Sequence, residues 1–287
     1  MITKPIPYGR QHITDEDIQC VIDALKSDYL TQGPKIKEFE EAFASYVGCK
    51  YAIAVNNATA GLHLAATALN VNLGDKVIVT PLTFAASANC IRFRGGEVVF
   101  CDVEEDTYLM DIKKLSRLLS QSPKGTYKGI VLVDFAGYPA NLEAFRQLAD
   151  EYGLWIIEDA CHAPGGYFID SKGEKQLCGN GNFADISVFS FHPVKHIATG
   201  EGGMATTNSK KLYEKLCLYR THGITKDPAL LCENHGGWYY EMQELGYNYR
   251  ITDFQAALGI SQLKRLNWSI QRRQEIAERY NKDFMGN

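Results

Sequence analysis

Short apolar runs alternate with amphipathic segments along most of the chain. Seven of the apolar runs have the length of β-strands, at residues 51–56, 76–80, 97–102, 129–135, 154–159, 186–191 and 203–207. Segments with apolar side chains at helical spacing lie between most of them, at residues 59–69, 111–120, 141–152 and 210–221. Strands that alternate with helices predict an α/β fold with a mostly parallel seven-stranded sheet flanked by helices.

The two ends of the chain are predicted to be helical. Thr14 with the acid Asp17 three residues later resembles a helix start, and a second amphipathic helix follows before the first strand. Residues 223–250 form a long connection rich in Trp and Tyr, and such a loop is typically functional or reaches a partner. After Thr252 the apolar spacing predicts one continuous helix through Tyr280.

Composition narrows the class of protein. The 287 residues are 45% hydrophobic and 22% charged, which is typical of a globular protein with a large core. The net charge of −4 argues against a nucleic-acid surface, although a few local Arg or Lys suffice for an anionic small substrate.

The eight cysteines predict a reducing compartment. They include no CxxC pair and fall mostly in apolar or helical stretches, as reduced, buried thiols do. The amino terminus has no apolar core of a secretory signal, and no stretch approaches 18 uninterrupted apolar residues. We therefore expect a cytoplasmic protein without a membrane or nucleic-acid partner.

Lys195 and Asp159 form the pair most informative about chemistry. Asp159 ends an apolar run, and Lys195 stands in a loop that continues into the glycines at 200–203. Ligands of open parallel sheets bind beyond the carboxyl ends of the strands, where both residues are predicted to lie. A pyridoxal-phosphate enzyme needs this combination, because a lysine forms the Schiff base and an acid pairs with the ring nitrogen. Taken alone, a lysine is typically a solvated surface residue, and an acid at a strand end typically caps the following turn.

The expected roles follow from this chemistry. Asp159 holds the proton on the ring nitrogen through a charge-assisted bond, worth about 4 kcal/mol at an effective dielectric near 20. The amine of Lys195, once freed, shuttles a proton as a general base, which typically contributes about 10²–10⁴-fold. His162 reaches the phenolic oxygen or the face of the cofactor, or it is a structural histidine.

A candidate phosphate site joins the first strand to the next helix. Residues 56–61 include Thr59 and the backbone of Ala60, and a helix amino terminus binds phosphate without Lys or Arg. The alternative is an ordinary capped helix. His192 and His196 stand four apart, but Pro193 lies between them and no supporting acid is present, so we predict no metal site.

Together these motifs resemble the sugar-nucleotide aminotransferases of the DegT/DnrJ/EryC1/StrS family, of the type I aminotransferase fold. The resemblance covers essentially all of the chain. It runs through residues 30–34, 80–84, 158–163, 190–196 with 200–203, and 246–253. Within the family, residues 6–11, 133–137 and 238–241 most resemble the pseudaminic-acid branch.

The resemblance implies a role for each matched position. Lys195 is the Schiff-base lysine, Asp159 the pyridinium partner and His162 a neighbour of the phenolic oxygen, while Phe84 stacks on the ring. The phosphate is held by Thr59, Ala60 and Ser190, and by Asn248 of the neighbouring subunit, which makes a homodimer with shared active sites necessary. Arg250 is a candidate for binding a substrate carboxylate.

The resemblance also implies two domains and a reaction. Residues 1–262 form the large cofactor domain, whose amino-terminal segment packs on the small domain, and residues 263–287 form the leading helix of a smaller carboxy-terminal domain. Relatives continue well beyond this helix, so a truncated non-catalytic or regulatory homologue is one alternative. A sugar dehydrase is another, but those enzymes replace the lysine with histidine.

The predicted reaction is a ping-pong transamination. Glutamate charges the cofactor with an amino group, which then passes to the C4 ketone of a UDP-4-keto-6-deoxy-N-acetylhexosamine.

Overall fold

The computed structural model describes residues 5, 7, 9–233 and 235–285. Residues 6 and 8 of the 6–11 segment, and the extreme ends of both predicted domains, lie outside the described residues. The helices are α1 (Asp15–Leu25), α2 (Pro34–Val47), α3 (Ala58–Ala68), α4 (Ala86–Arg92), α5 (Ile112–Ser120), α6 (Leu142–Tyr152), α7 (Lys210–Arg220), α8 (Asp253–Lys264) and α9 (Leu266–Phe284). The strands are β1 (Tyr51–Val55), β2 (Lys76–Val79), β3 (Glu97–Phe100), β4 (Tyr127–Val133), β5 (Trp155–Asp159), β6 (Tyr167–Ile169), β7 (Lys175–Leu177), β8 (Ile186–Ser190), β9 (Gly203–Thr207), β10 (Ile224–Thr225) and β11 (Glu241–Met242).

A seven-stranded sheet organises the molecule and confirms the predicted α/β architecture. Its order is β1-β9-β8-β5-β4-β2-β3, and it contains all seven strands predicted from the apolar runs. Only β9 runs against its neighbours, pairing antiparallel with both β1 and β8. The other strands therefore share one direction, and their carboxyl ends meet at one edge of the sheet.

Helices cover both faces of the sheet because each contributes an apolar stripe to the core. One face buries α3, α4 and α7 against the central strands. The opposite face carries α2 and α8 near β1, and α5 and α6 near β4 and β5. The central strands are almost wholly buried, as continuous apolar runs in a covered parallel sheet should be.

The capping prediction for α1 is confirmed, and the capping acid, Asp17, also forms hydrogen bonds outside this helix. The amide of Thr14 donates to Oδ2 of Asp17 at 3.0 Å, and the amide of Asp17 donates to Oγ1 of Thr14 at 3.4 Å. Asp17 is fully buried and also accepts from Nε2 of Gln262 at 2.8 Å and from Arg265. This carboxylate therefore joins α1 to the end of α8.

The prediction of one continuous helix after Thr252 is wrong. Arg265 leaves helical geometry, with φ −105° and ψ 6°, so that α8 ends at Lys264 and α9 begins at Leu266. The break coincides with the ion pair between Arg265 and buried Asp17, which apolar spacing does not reveal. The predicted domain boundary at 262/263 lies just before it, and the division into domains stays a prediction.

One helix and two hairpins were not predicted. They are the short helix α4 and the hairpins β6–β7 and β10–β11, the last of which lies inside the aromatic-rich connection. Among the residues described, no helix combines the length and apolarity that crossing a bilayer requires.

A buried acidic pair lies beneath the sheet edge. Asp134 and Glu158 are each 1% exposed, and one oxygen of each lies within 4.8 Å of the other and of the thiol of Cys178. Asp134 Oδ1 accepts from the amide of Ala140 at 2.9 Å, and Glu158 Oε2 accepts from the amide of Gly179 at 3.0 Å. Burial, followed by the charge of Glu158, raises the pKa of Asp134 well above its usual range, and burial also raises the pKa of Glu158. Two facing carboxylates cannot both ionise here, so the folded protein retains a proton.

This retained proton predicts a pH dependence of stability. An unfolded chain releases it above the usual carboxyl pKa near 4, so the free energy of unfolding falls as pH rises from there, by about 1.4 kcal/mol per pH unit for one proton. In Asp134→Asn, Oδ1 still accepts from the amide of Ala140, and the side-chain NH₂ group takes the place of the shared proton. We therefore expect the unfolding free energy to depend less steeply on pH. Urea unfolding at several pH values measures it, with exposed Asp106→Asn as control. Equal slopes in both variants would contradict the shared proton.

Candidate active site

The carboxyl edge of the sheet gathers most of the predicted site residues. Asn56 follows β1, Asp159 is the last residue of β5, and Ser190 is the last of β8. The β5–β8 register pairs Asp159 with Val188, so the loop that carries Lys195 leaves the sheet beside this carboxylate. The topology thus produces the convergence expected from strand direction.

Asp159 is a fixed, nearly buried carboxylate, 5% exposed. Oγ of Ser87 donates to its Oδ2 at 2.6 Å, and the amide of Cys161 lies 3.3 Å from its Oδ1. Ser87 is itself 2.7 Å from the hydroxyl of Thr83. Sequence reasoning missed Ser87, because it lies on the unpredicted helix α4. Thr83 belongs to the motif at residues 80–84, but the sequence indicated no role for it.

Lys195 is half-buried in the loop between β8 and β9. The loop begins with a turn in which the amide of Lys195 donates to the carbonyl of His192 at 2.8 Å. At its end, the amide of Thr199 donates to the carbonyl of Phe191 at 2.9 Å. Burial lowers the pKa of Lys195, while nearby Cys161 and Asp159 act in the opposite direction. The amine and the Asp159 carboxylate therefore lie within electrostatic reach of each other.

His162 lies in the same cluster. It is half-buried, and burial, followed by the charge of Lys195, lowers its pKa, so the imidazole is neutral at pH 7. Burial and the charge of Asp159 also raise the pKa of Cys161 well above its usual value, which makes this neighbour an unreactive thiol. The site thus combines one carboxylate, one amine and one neutral imidazole.

The amino terminus of α3 lies at the same edge. The Asn57 side chain caps the helix by accepting from the amide of Ala60 at 2.8 Å. A Cβ on Gly203 would lie 2.8 Å from the amide nitrogen of Ala58, and Gly203 pairs with Ser190, so these residues meet closely. The amide of Ala60, predicted to donate to phosphate, is already used by the cap. The first-turn amides of Ala58 and Thr59 are the better donors to an incoming anion.

Phe84 and Asn248 are both solvent-exposed. Phe84 is 75% exposed at the start of α4, and its carbonyl accepts from the amide of Ser87 at 3.1 Å, which fixes it beside the Asp159 cluster. Asn248 lies in an extended segment whose neighbours Tyr247 and Tyr249 stack on each other at 5.0 Å. In the described part of the chain, no contact joins Asn248 to Lys195. Arg250 lines a separate groove beside α2.

Comparison with known proteins decides the family. The family model described as "DegT/DnrJ/EryC1/StrS aminotransferase family" matches residues 11–287. The chain belongs to this family. A Campylobacter jejuni relative, UDP-4-amino-4,6-dideoxy-N-acetyl-beta-L-altrosamine transaminase, is 42% identical over 283 residues, which are 98% of this chain and 70% of the relative.

Solved structures of family members agree with the fold. Helicobacter pylori PseC, an aminotransferase of pseudoaminic acid biosynthesis, superimposes with a TM-score of 0.87 at 33% identity, over 99% of this chain and 72% of its own. The sugar aminotransferase Spr1654 of Streptococcus pneumoniae superimposes in its PMP-form with a TM-score of 0.86 at 32% identity, over 99% of this chain and 73% of its own. It is also known in a PLP-form.

The hydrogen bond from Ser87 to Asp159 predicts a measurable loss of stability. Ser87→Ala removes a buried donor from a carboxylate, which typically costs about 1–3 kcal/mol. Urea unfolding at pH 7 measures this change, and Ser116→Ala on the exposed face of α5 is the control, expected to stay within about 0.5 kcal/mol. Equal unfolding free energies for the two variants would show that Ser87 does not hold the carboxylate.

Proposed function

We propose that this aminotransferase uses pyridoxal phosphate to aminate C4 of a UDP-linked 4-keto-6-deoxy-N-acetylhexosamine, with glutamate as amino donor. The convergence of half-buried Lys195 with the nearly buried carboxylate of Asp159 carries the proposal. The substrate follows from the relatives, which include a UDP-amino-sugar transaminase and an aminotransferase of pseudoaminic acid biosynthesis.

The residues at the sheet edge fit this cofactor. Asp159 offers an acceptor for a protonated ring nitrogen, and exposed Phe84 offers an aromatic face. In this proposal Thr59 and Ser190 bind the anionic phosphate together with the amino terminus of α3. When bound, pyridoxal phosphate supplies an electron sink for the charge that develops at the Cα of the donor.

Each side chain then has a task of its own. Asp159 keeps the proton on the ring nitrogen, because its position is fixed by Ser87 and Cys161. The amine of Lys195 is the covalent attachment point and, when free, moves the proton from the Cα of the donor. Its burial favours the neutral form that a base needs. His162, which is neutral, donates a hydrogen bond to the phenolic oxygen of the cofactor without adding charge to the site.

We further propose a cytoplasmic homodimer in which Asn248 completes the site of the neighbouring subunit. Asn248 is exposed and held in an extended segment by backbone bonds on either side, from Tyr247 to Tyr219 and from Tyr249 to Arg220. All eight cysteines are free, which fits a reducing compartment.

Visible absorption tests the cofactor and the lysine. Protein incubated with pyridoxal phosphate should gain a visible band that fades on addition of glutamate, and then aminate the UDP-keto sugar. Lys195→Ala should lack the band, and its rate of amination should fall by at least about 10²-fold. Lys172 is an exposed lysine in the β6–β7 turn, and Lys172→Ala should behave as wild type. A protein that stays colourless would instead favour a non-catalytic homologue, and an active Lys195→Ala would show that Lys195 does not carry the cofactor.

Mixing two inactive variants tests the shared site. Lys195→Ala and Asn248→Ala subunits place both defects in one site of a mixed dimer and leave the other site intact. Unfolding and refolding them together should restore about a quarter of wild-type activity, because random pairing makes half of the dimers mixed. If each site belongs to one subunit, the mixture stays as inactive as its components.

A further inference from the structure

A small basic cavity lies beside the Lys195 loop, between α8, α9 and the segment that precedes α1. Its volume is about 60 Å³, and the charged or titratable residues around it are Arg10, His12, Lys195, His196, Arg265 and Arg273. None of its lining residues is acidic. Such a concentration of positive charge favours an anion.

Two of the three arginines have no carboxylate partner within the described ranges. Arg265 is paired with buried Asp17 and is thereby neutralised. Arg273 donates from Nη2 to the carbonyl of Lys195 at 3.3 Å, which holds its guanidinium at the loop without neutralising it. Arg10 forms no ion pair there either. The cavity therefore presents two uncompensated guanidinium groups.

Close packing brings Arg10 to this place. A Cβ on the preceding residue, Gly9, would lie 3.0 Å from Cγ1 of Val194, the neighbour of Lys195. Farther along, the carbonyl of His12 accepts from Nε2 of Gln262 at 3.0 Å. The segment that carries Arg10 is thus fixed at both ends across the Lys195 loop.

His196 connects the cavity to the reacting amine. Burial, then the charges of Arg273, His162 and Lys195, lowers its pKa to about 4, so the imidazole is neutral at pH 7. Its Nδ1 is buried and has no hydrogen-bond partner among the described residues. A neutral imidazole that lines the cavity can give one further hydrogen bond to an anion that enters it.

We propose that this cavity binds the side-chain carboxylate of a dicarboxylic amino donor through Arg10 and Arg273. The inference rests on the proposed transaminase function and assigns to it the selection of the donor. Planar guanidinium groups match a carboxylate in bidentate geometry. With a volume of about 60 Å³, compared with the roughly 10–15 Å³ that one buried water needs, the cavity has room for a small anionic group such as a carboxylate.

Binding of unreactive acids tests the cavity independently of catalysis. By calorimetry on the purified protein, glutarate should bind more tightly than butyrate, which lacks the second carboxylate. Arg273→Gln should weaken the binding of glutarate by about 10-fold or more and leave the affinity for butyrate unchanged. Arg272→Gln is the matched control, since Arg272 pairs with Glu275 and does not line the cavity. Equal glutarate affinities in the two variants, or a selective loss of UDP binding in Arg273→Gln, would overturn the proposal.

Single-turnover absorbance separates this proposal from the proposed function. Arg273→Gln should slow the fading of the visible band with glutamate by about 10-fold or more, and leave the reaction with alanine unchanged. Equal slowing with both donors would refute the carboxylate subsite while the transaminase function stands. If no amino acid affects the wild-type band, the proposed function fails, and the glutarate measurement still decides whether the cavity binds a carboxylate.

Discussion

The arrangement of the site depends on a carboxylate held almost out of solvent at the end of the central strand β5. An ionised group in such a place is costly unless it is paired and hydrogen-bonded. Ser87 and the amide of Cys161 supply the hydrogen bonds to Asp159, and Lys195 lies within electrostatic reach. Helix α4 and the Lys195 loop are therefore fixed relative to β5 by the need to stabilise one charge.

Glu158, the residue before Asp159, is a buried carboxyl group that is stabilised by protonation instead of by pairing with a cation. Glu158 points to the other face of β5, because successive side chains of a strand alternate. On that face no cation of the described residues acts on Glu158, and the carboxyl is stabilised together with Asp134 by keeping a proton between them. One strand end thus carries a charged acid on its functional face and a protonated acid pair on its structural face.

Sequence patterns predicted the elements well where burial alone determines them. The seven strands of the sheet and the helices between them, apart from α4, were predicted to within a few residues, because continuous apolar runs and helical stripes are local signals. The break at Arg265 was not, since it depends on Asp17, which lies far away in the sequence. Ser87 was missed because it lies on the unpredicted helix α4 and because its partner, Asp159, is also distant in the sequence. Arg10 and Arg273 approach Lys195 only through tertiary packing, and no local pattern marks them as neighbours.

The antiparallel strand β9 has a consequence for synthesis of the chain. Strand β1 is at the edge of the sheet, and β9 is its one neighbour among the described strands, with Tyr51 opposite Thr207. At a translation rate of roughly 5–20 residues per second, β1 waits on the order of 10–30 seconds for its partner to be made. During that interval an apolar strand has an open edge that can pair with another nascent chain. The arrangement that directs β1 and β8 to one functional edge thus leaves β1 without its neighbour in the sheet until about 150 further residues have been made.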